Sequence, residues 1–264
     1  MHEEKCLIVI PAHNEAGNIP TVIAEIRATG IAYDLVVVDD GSTDQTANRA
    51  LAAGAPVLRL PFNQGYAGAL QTGFKLAVDR KYDYVVQFDA DGQHDPRDIR
   101  PIVETLRRHG QDVVVGSRVL GRGAEDLSVS KRLIIGLLCW LVRCTTRQVV
   151  TDPTSGLRGL SRRAFTYYSR MGNYPEDYPD VDILLHMIRS GLRVTEIPAN
   201  IRRRMSGRSQ LFFGLKGFYY VAKTLISVST ILLSRRRGVG NVEDNRFDLR
   251  VAPVRYGLPP TNCG

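Results

Sequence analysis

Short continuous apolar runs, separated by helical patterns, constrain the fold of this chain more than any other feature. Runs of this kind are typical of strands that are covered on both faces. The predicted strands are Cys6–Pro11, Leu35–Asp40, Tyr84–Asp89 and Asp112–Gly116. The helical patterns between them cover roughly Ile19–Thr29, Thr43–Ala53, Gly68–Arg80 and Asp98–Arg108. Strands that alternate with helices predict an α/β fold with an open, mostly parallel sheet flanked by helices.

Such a sheet binds its ligands at the carboxyl ends of its strands. This rule selects three short segments as candidate binding loops before any motif is considered. They are Pro11–Glu15, Asp39–Ser42 and Asp89–Asp91. A ligand is therefore expected along one edge of the sheet.

The strongest chemical signal among these loops is the triplet Asp89-Ala90-Asp91, which is followed by Gly92. Two carboxylates one residue apart at a strand end are suited to share a hard divalent cation. Turns are rich in aspartate for ordinary reasons of solvation, so the triplet alone is a weak signal. Its position directly after an apolar strand strengthens the prediction of a Mg²⁺ or Mn²⁺ site at Asp89 and Asp91.

The second acidic strand end, Asp39-Asp40, precedes Gly41 and Ser42. Ser42 is predicted to be a helix N-cap, with Gln45 completing a capping box. A cap needs neither aspartate, so these carboxylates are free to bind a nucleotide base or ribose hydroxyl groups.

The loop after the first strand reads Pro11-Ala12-His13-Asn14-Glu15. It contains neither the glycine pattern of a dinucleotide-binding fold nor that of a P-loop. The sequence therefore disfavours a dinucleotide dehydrogenase and a P-loop NTPase.

The charge distribution points to a negatively charged partner. Lysine and arginine exceed aspartate and glutamate by 35 − 27 = 8, and residues 197–242 hold nine basic residues and no acidic one. Phosphate, an anionic membrane face and nucleic acid all fit such a stretch. The four scattered cysteines and the polar N-terminus favour a reducing compartment and disfavour secretion.

The second half of the chain contains two further helical patterns. Lys131–Val142 is apolar over too short a length to span a bilayer. Leu211–Ser234 is apolar and aromatic but is interrupted by two lysines, so it is either an amphipathic helix packed on the domain or a helix in the membrane interface. The basic and then polar residues 234–264 are predicted to form a flexible tail.

Four segments in order resemble glycosyltransferase family 2, whose fold is of the GT-A type: IVIPAHNEAGNI, VVVDDGSTDQT, NQGYAGALQTGF and FDADGQHDP. They cover residues from about 7 to 118. Asp152–Arg158 resembles a segment of the polyprenyl-phosphate mannose and glucose synthase branch of that family. Residues 179–191 and 204–209 are similar to later family segments, which extends the resemblance to about residue 233.

This resemblance implies transfer of a hexose from a nucleotide-sugar, a UDP- or GDP-sugar, with inversion at the anomeric carbon. It implies a metal site, Mg²⁺ or Mn²⁺, at Asp89 and Asp91, with Asp91 serving catalysis. The residues implied in donor binding are Pro11, Asn14, Glu15, Asp39, Asp40, Asp89, Ala90, Arg204 and Ser209. Those implied near the acceptor are Arg118, Asp152, Ser155 and Arg158.

Asp180 takes the place of the family's catalytic base, although Pro179 stands where glutamate is common and Glu176 and Asp177 lie nearby. A hydroxyl acceptor would need such a base. A lipid phosphate is already an anion, so Asp180 would then only position it. The acceptor is therefore either a polyprenyl phosphate or other lipid-linked molecule, or a hydroxyl group of a soluble or saccharide acceptor.

The resemblance predicts one GT-A domain over residues 1–233. Its nucleotide-sugar half covers about 1–118, its acceptor half about 119–210, and its amphipathic membrane-interface helix about 211–233. The expected location is the cytoplasmic face of the membrane, with peripheral contact. A non-enzymatic protein that binds an anionic surface or nucleic acid is a remote alternative, and it leaves the four aspartates unexplained because they repel a phosphate backbone.

Overall fold

A computed structural model of the chain describes residues 4–121, 129–170 and 181–202. The strands are β1 Cys6–Ala12, β2 Asp34–Asp39, β3 Val57–Arg59, β4 Tyr84–Gln87, β5 Val113–Ser117, β6 Arg158–Ser161 and β7 Val194–Pro198. The helices are α1 Ile19–Ala28, α2 Thr46–Ala52, α3 Gly65–Asp79, α4 Ile99–His109, α5 Val129–Thr146, α6 Arg162–Ser169 and α7 Val181–Arg189. A 3₁₀ turn, Pro96–Asp98, leads into α4.

The strands form one seven-stranded sheet in the order β3-β2-β1-β4-β6-β5-β7. β1 pairs in parallel with β2 and β4, and β5 pairs in parallel with β7. In the described part of the chain, β6 alone is antiparallel, and it lies between β4 and β5. The predicted α/β fold with a mostly parallel, helix-flanked sheet is therefore confirmed.

The core lies on both faces of the sheet, which explains why the central strands are apolar at every position. Successive residues of β1 alternate between two cores. Leu7 and Val9 pack with α3 residues such as Phe74, whereas Ile8 and Ile10 pack with residues of α1 and α4. Helices therefore cover both faces of the sheet, and the candidate binding loops lie at the edge where its parallel strands end.

The predicted strands and helices of the N-terminal half are confirmed, with ends that shift by up to three residues. Three strands, β3, β6 and β7, were not predicted from the sequence. β3 has only three residues, and β6 begins with a buried arginine, so neither shows a run of apolar residues. β7 is an edge strand whose residues are only partly buried, which weakens its apolar signal.

The helix predicted at Lys131–Val142 is longer in the structure, because α5 extends over Val129–Thr146. Among the helices in the described ranges, none combines the length and apolar character needed to cross a membrane. The predicted helix over 211–233 and the predicted tail over 234–264 lie outside the described residues.

Gly73 tests how tightly α3 packs on the sheet. A Cβ at Gly73 would lie against the Val9 side chain, 2.9 Å from its Cγ2 and still nearer to its Cγ1. We expect Gly73→Ala to lower the free energy of unfolding by about 1–3 kcal/mol, because overpacking forces neighbours apart. Gly136→Ala in α5 is the matched control, since a Cβ there meets nothing within 4 Å.

The control should raise the free energy of unfolding by about 0.5–1 kcal/mol, because alanine loses less backbone entropy than glycine in a helix. Urea unfolding followed by circular dichroism measures both variants. Equal stability of the two variants would contradict the packing of α3 on β1.

Candidate active site

The carboxyl ends of β1, β2, β4 and β5 and the amino end of β6 lie along one edge of the sheet. The parallel strands end there, and the antiparallel β6 begins there. This edge therefore collects the loops that follow Ala12, Asp39, Gln87 and Ser117, together with the loop that precedes Arg158. The three candidate binding loops predicted from the sequence all reach this edge.

Asp89 is held from both sides by hydrogen bonds. The Tyr66 hydroxyl group donates to Oδ1 at 2.5 Å, and Nε2 of His94 lies 3.1 Å from Oδ2. Because a carboxylate only accepts, the His94 proton in this hydrogen bond lies on Nε2. Tyr66 belongs to α3, which packs on the sheet, and the His94 side chain is buried, so the two donors fix the direction in which the carboxylate points.

The pKa of Asp89 lies below that of an ordinary aspartate. Burial favours its neutral form, but the hydrogen bond and charge of His94, the hydrogen bond from Tyr66 and the positive charge of Arg118 outweigh this effect. Asp89 is therefore an anion at neutral pH, as a ligand for a cation must be.

Gly156 and Gln87 complete the surroundings of Asp89. A Cβ at position 156 would overlap the Asp89 carboxylate, with the Asp89 Cγ only 2.9 Å away. Nε2 of Gln87 donates to the Tyr66 hydroxyl oxygen at 3.1 Å and to the Gly156 carbonyl at 2.9 Å. The loop before β6 thus packs directly on the predicted metal ligand, and only glycine leaves room for it.

Asp91 is buried, and its Oδ1 accepts a hydrogen bond from the backbone N–H of Gln93 at 3.0 Å. Within the described ranges, no three His, Cys, Asp or Glu side chains are grouped so that they could hold a metal ion. Two carboxylates at a strand end nevertheless fit Mg²⁺ or Mn²⁺, which take their remaining oxygen ligands from water and phosphate. Asp89 and Asp91 therefore fit a cation that arrives with a phosphorylated ligand.

Arg118 and Asp152 form a bidentate ion pair beside this site. Nε and Nη2 of Arg118 each lie 2.6 Å from an Asp152 oxygen, and Nη2 also donates to Thr154. The Asp152 side chain is fully buried, and the Arg118 side chain is 20% exposed. Arg118 lowers the pKa of Asp152 despite the opposing effect of burial.

The loop that precedes β6 is fixed at several points. Glu196 on β7 accepts hydrogen bonds from the backbone N–H groups of Thr151 and Asp152, at 2.7 and 2.9 Å. Ser155 donates to the Gly116 carbonyl at 2.6 Å, and Arg158 donates to the carbonyls of Pro153 and Ser155.

Asp152, Ser155 and Arg158 are buried, and their hydrogen bonds hold the loop. Their predicted contact with an acceptor stays a prediction. Of the four residues in the acceptor set, Arg118 is the one with an exposed part.

The carboxylates of Asp39 and Asp40 lie at the carboxyl end of β2 and are buried. Oδ1 of Asp39 accepts from the Ser42 N–H at 3.2 Å, and its Oδ2 lies 3.3 Å from Nε of Arg59. Oδ1 of Asp40 accepts from the Gln64 N–H at 2.7 Å. Asp39 thus orders its own loop, and Asp40 binds the segment that precedes α3. Their predicted contact with a nucleoside stays a prediction.

The loops that follow β1 and β2 are joined through Asn14, whose φ of 56° places it in the left-handed region. Its backbone N–H donates to Oγ of Ser42 at 3.0 Å, and its Oδ1 accepts from the Thr43 N–H at 2.9 Å. Asn14 therefore joins the two loops. Asparagine is suited to this position because it tolerates the left-handed backbone conformation.

The predicted N-cap role of Ser42, with Gln45 in a capping box, is wrong. α2 begins at Thr46, and Oδ1 of Asp44 accepts from its N–H at 2.9 Å. The Ser42 hydroxyl group is occupied by Asn14, because the two loops lie against each other. A sequence pattern cannot show a contact between residues 28 positions apart.

Pro11 and Glu15 flank this contact. Pro11 is a buried residue of β1 and lies opposite Val38 of β2. The Glu15 N–H donates to Oγ1 of Thr46 at 2.8 Å, and its Oε2 accepts from Asn18 at 2.6 Å. Pro11 and Glu15 lie at the predicted edge of the sheet, and their contact with a donor stays a prediction.

The end of the described chain runs beside the Asp89–Asp91 loop. His94 forms a bridge with Ile201, and the Arg202 N–H donates to the Gln93 carbonyl at 2.8 Å. The Arg202 guanidinium group pairs with Glu25 at 2.8 Å and with Asp95 at 3.3 Å. Arg202 therefore forms ion pairs with carboxylates of the protein itself. The predicted site residues Asp180, Arg204 and Ser209 lie outside the described residues.

Tyr66, Gln87 and Gly156 are the residues that sequence reasoning did not single out. Gln87 carried one signal, since it is a polar residue inside the apolar run of β4. Tyr66 and Gly156 stand within segments already quoted for the family resemblance, but their contact with Asp89 depends on the folding of distant segments.

Comparison with known protein families finds a match of residues 7–168, more than half of the chain, to the family described as glycosyl transferase family 2. Undecaprenyl-phosphate mannosyltransferase of Micrococcus luteus is 30% identical over 220 residues, which cover 81% of this chain and 90% of that protein. UDP-N-acetylglucosamine--dolichyl-phosphate N-acetylglucosaminyltransferase of Methanococcus voltae is 26% identical over 241 residues, which cover 83% of this chain and 95% of that protein.

Among solved structures, the chain is similar to glucosyl-3-phosphoglycerate synthase from Mycobacterium tuberculosis in complex with Mn²⁺ and UDP-glucose. The TM-score is 0.65 at 24% identity, and the match covers 86% of this chain and 79% of the other. This similarity shows that the two proteins share a fold.

Gly156 tests whether the loop before β6 positions Asp89. We expect Gly156→Ala to weaken Mn²⁺ binding in the presence of UDP by about 10–100-fold, because the new Cβ displaces the carboxylate of Asp89, the predicted metal ligand. Electron paramagnetic resonance of free Mn²⁺ measures the affinity, with Gly136→Ala as the control. Unchanged affinity in a folded Gly156→Ala variant would remove Asp89 from the metal site.

Proposed function

We propose, because this chain belongs to glycosyl transferase family 2, that it transfers a hexose from a UDP- or GDP-sugar to a lipid-linked acceptor with inversion. It is a glycosyltransferase, and the acceptor we propose is a polyprenyl phosphate at the cytoplasmic membrane face. Relatives that act on undecaprenyl and dolichyl phosphates support this acceptor class. The proposed division into a donor half, about 1–118, and an acceptor half, about 119–210, follows the order of the loops along the sheet edge.

The observation that supports the proposal best is the ionised Asp89, held by Tyr66 and His94 next to Asp91. We propose that these two carboxylates hold Mg²⁺ or Mn²⁺. When bound, the cation would neutralise the charge that develops on the nucleoside diphosphate leaving group. The fixed direction of Asp89 means that little reorganisation is needed when the donor arrives.

The donor would lie along the carboxyl ends of β1, β2 and β4. Pro11 and Asp39 lie near the carboxyl ends of β1 and β2, and Glu15 and Asp40 lie in the two joined loops that follow these strands. We propose that these residues form the nucleoside pocket. Ala90 lies between the metal-binding carboxylates, where the diphosphate would approach. Arg204 and Ser209 are proposed to contact the diphosphate, because arginine binds phosphate oxygens in a bidentate manner.

The acceptor would approach from the side of Arg118. The loop from Thr151 to Arg158 packs on Asp89 through Gly156, so an acceptor beside Arg118 lies close to the reacting centre. Inversion requires attack on the anomeric carbon from the face opposite the leaving diphosphate. An acceptor phosphate oxygen is already an anion and needs no base, and Arg118 would orient it.

The second candidate is transfer to a hydroxyl group, with Asp180 as the base that takes its proton. The structural similarity to glucosyl-3-phosphoglycerate synthase favours this alternative, since that name denotes a product without a lipid. The acceptor type is therefore the point that an experiment has to decide.

The remote alternative is a non-enzymatic protein that binds an anionic surface or nucleic acid. Thermal unfolding with UDP, GDP or an oligonucleotide, each with and without Mn²⁺, separates the two classes of protein. We expect UDP or GDP to raise the unfolding temperature only when Mn²⁺ is present. Stabilisation by the oligonucleotide without metal would support the binding protein instead.

Asp91→Asn tests the metal assignment. We expect this variant to remain folded and to lose sugar transfer, because an amide is a much poorer ligand than a carboxylate for a hard cation. Hydrolysis and transfer across UDP- and GDP-sugars with Mg²⁺ or Mn²⁺ provide the assay. Asp79→Asn is the matched control, since this exposed aspartate lies at the far end of α3; substantial activity in Asp91→Asn would refute the assignment.

Asp180→Asn distinguishes the two acceptors. We expect the variant to be severely impaired, by about 10²–10⁴-fold, if the acceptor is a hydroxyl group that needs a base. For a polyprenyl phosphate the loss should be small. Rates with one acceptor of each type decide between the alternatives, and a severe loss with the phosphate acceptor would contradict the proposed mechanism.

A further inference from the structure

One face of α5 exposes a row of large apolar side chains. Leu133, Leu137 and Trp140 are 70%, 43% and 61% exposed. Their spacing of four and then three residues places them on a single side of the helix. A Cβ at Gly136 meets nothing within 4 Å, so the surface beside them is open.

The opposite side of α5 is packed on the protein. Ile135, Leu138 and Val142 are buried there. Sγ of Cys139 donates to the Thr151 carbonyl at 3.4 Å, which attaches the middle of α5 to the residue that precedes Asp152. The exposed apolar face is therefore carried by a helix fixed to the proposed acceptor loop.

The charged residues within α5 and directly after it are all basic. Arg143 and Arg147 are exposed at the end of α5, and residues 127–151 contain no aspartate or glutamate. Apolar side chains, a tryptophan and flanking cations are the combination found on helices that lie in an anionic membrane interface. A helix face made only to remain in water would not expose three such side chains together.

We propose that the apolar face of α5, formed by Leu133, Leu137 and Trp140, docks on the surface of an anionic lipid bilayer. This inference builds on the proposed lipid-linked acceptor, because docking through α5 would bring the loop at Asp152 and Arg118 towards the membrane. This contact would give the acceptor side a defined orientation. The phosphate of a lipid acceptor would then reach Arg118 from the bilayer.

Trp140 provides a direct measurement, because it is the sole tryptophan of the chain. The full chain is titrated with vesicles of phosphatidylglycerol and phosphatidylcholine, and then with vesicles of phosphatidylcholine alone. We expect the Trp140 emission to shift to the blue with the anionic vesicles and the protein to sediment with them. The shift should weaken at high salt, because the cations contribute to binding.

Leu137→Glu and Leu133→Gln are the test variants, and both should bind anionic vesicles at least tenfold more weakly. Leu51→Glu is the matched control, since Leu51 on α2 is a leucine whose exposure lies between those of Leu137 and Leu133, and this variant should bind as the unchanged protein does. Circular dichroism verifies that each variant is folded. An unshifted Trp140 emission on bound protein, or unchanged binding by both variants, would overturn the proposal.

A second copy of the chain is the competing occupant of this face. A blue shift that rises with protein concentration in the absence of vesicles would indicate that occupant and would overturn membrane docking. Sugar transfer to a lipid acceptor dissolved in detergent does not require docking on a bilayer. This assay therefore tests the proposed function separately from the docking surface. If Leu137→Glu keeps that activity but loses vesicle binding, the docking surface is supported, whereas vesicle binding without any transfer would refute the proposed acceptor alone.

Discussion

The Asp89 carboxylate, fixed between the Tyr66 hydroxyl group and the His94 ring, is the contact on which the rest of the site depends. These two hydrogen bonds favour an anion at the end of β4, although Asp89 is partly buried. Gln87 holds both Tyr66 and the carbonyl of Gly156, so the same network attaches the loop before β6. The proposed donor and acceptor sides of the edge would therefore meet at one side chain.

Much of this arrangement could be predicted from the sequence, because it depends on local patterns. Apolar runs indicate the central strands, and the rule that ligands bind at their carboxyl ends selects Asp39, Asp40, Asp89 and Asp91 without any structure. The family resemblance supplied the order of the loops. The fold and the family are confirmed.

What the sequence could not show are contacts between distant residues. Ser42 has the pattern of a cap, yet its hydroxyl group is taken by Asn14 of another loop. Asp152 and Ser155 have the polar character of binding residues, yet they are buried and hold the loop. Gly156 matters because of one carboxylate 67 positions earlier in the chain, and no local pattern encodes such a neighbour.

We propose that Asp89 and Asp91 hold a divalent cation on the diphosphate of a nucleotide-sugar. The decisive measurement is the anomalous signal of manganese in a crystal of the protein grown with Mn²⁺ and UDP. We expect one manganese peak within coordination distance of both carboxylates and of the UDP diphosphate. Nucleotide bound at this edge with no manganese beside Asp89 and Asp91, or manganese bound elsewhere, would contradict it.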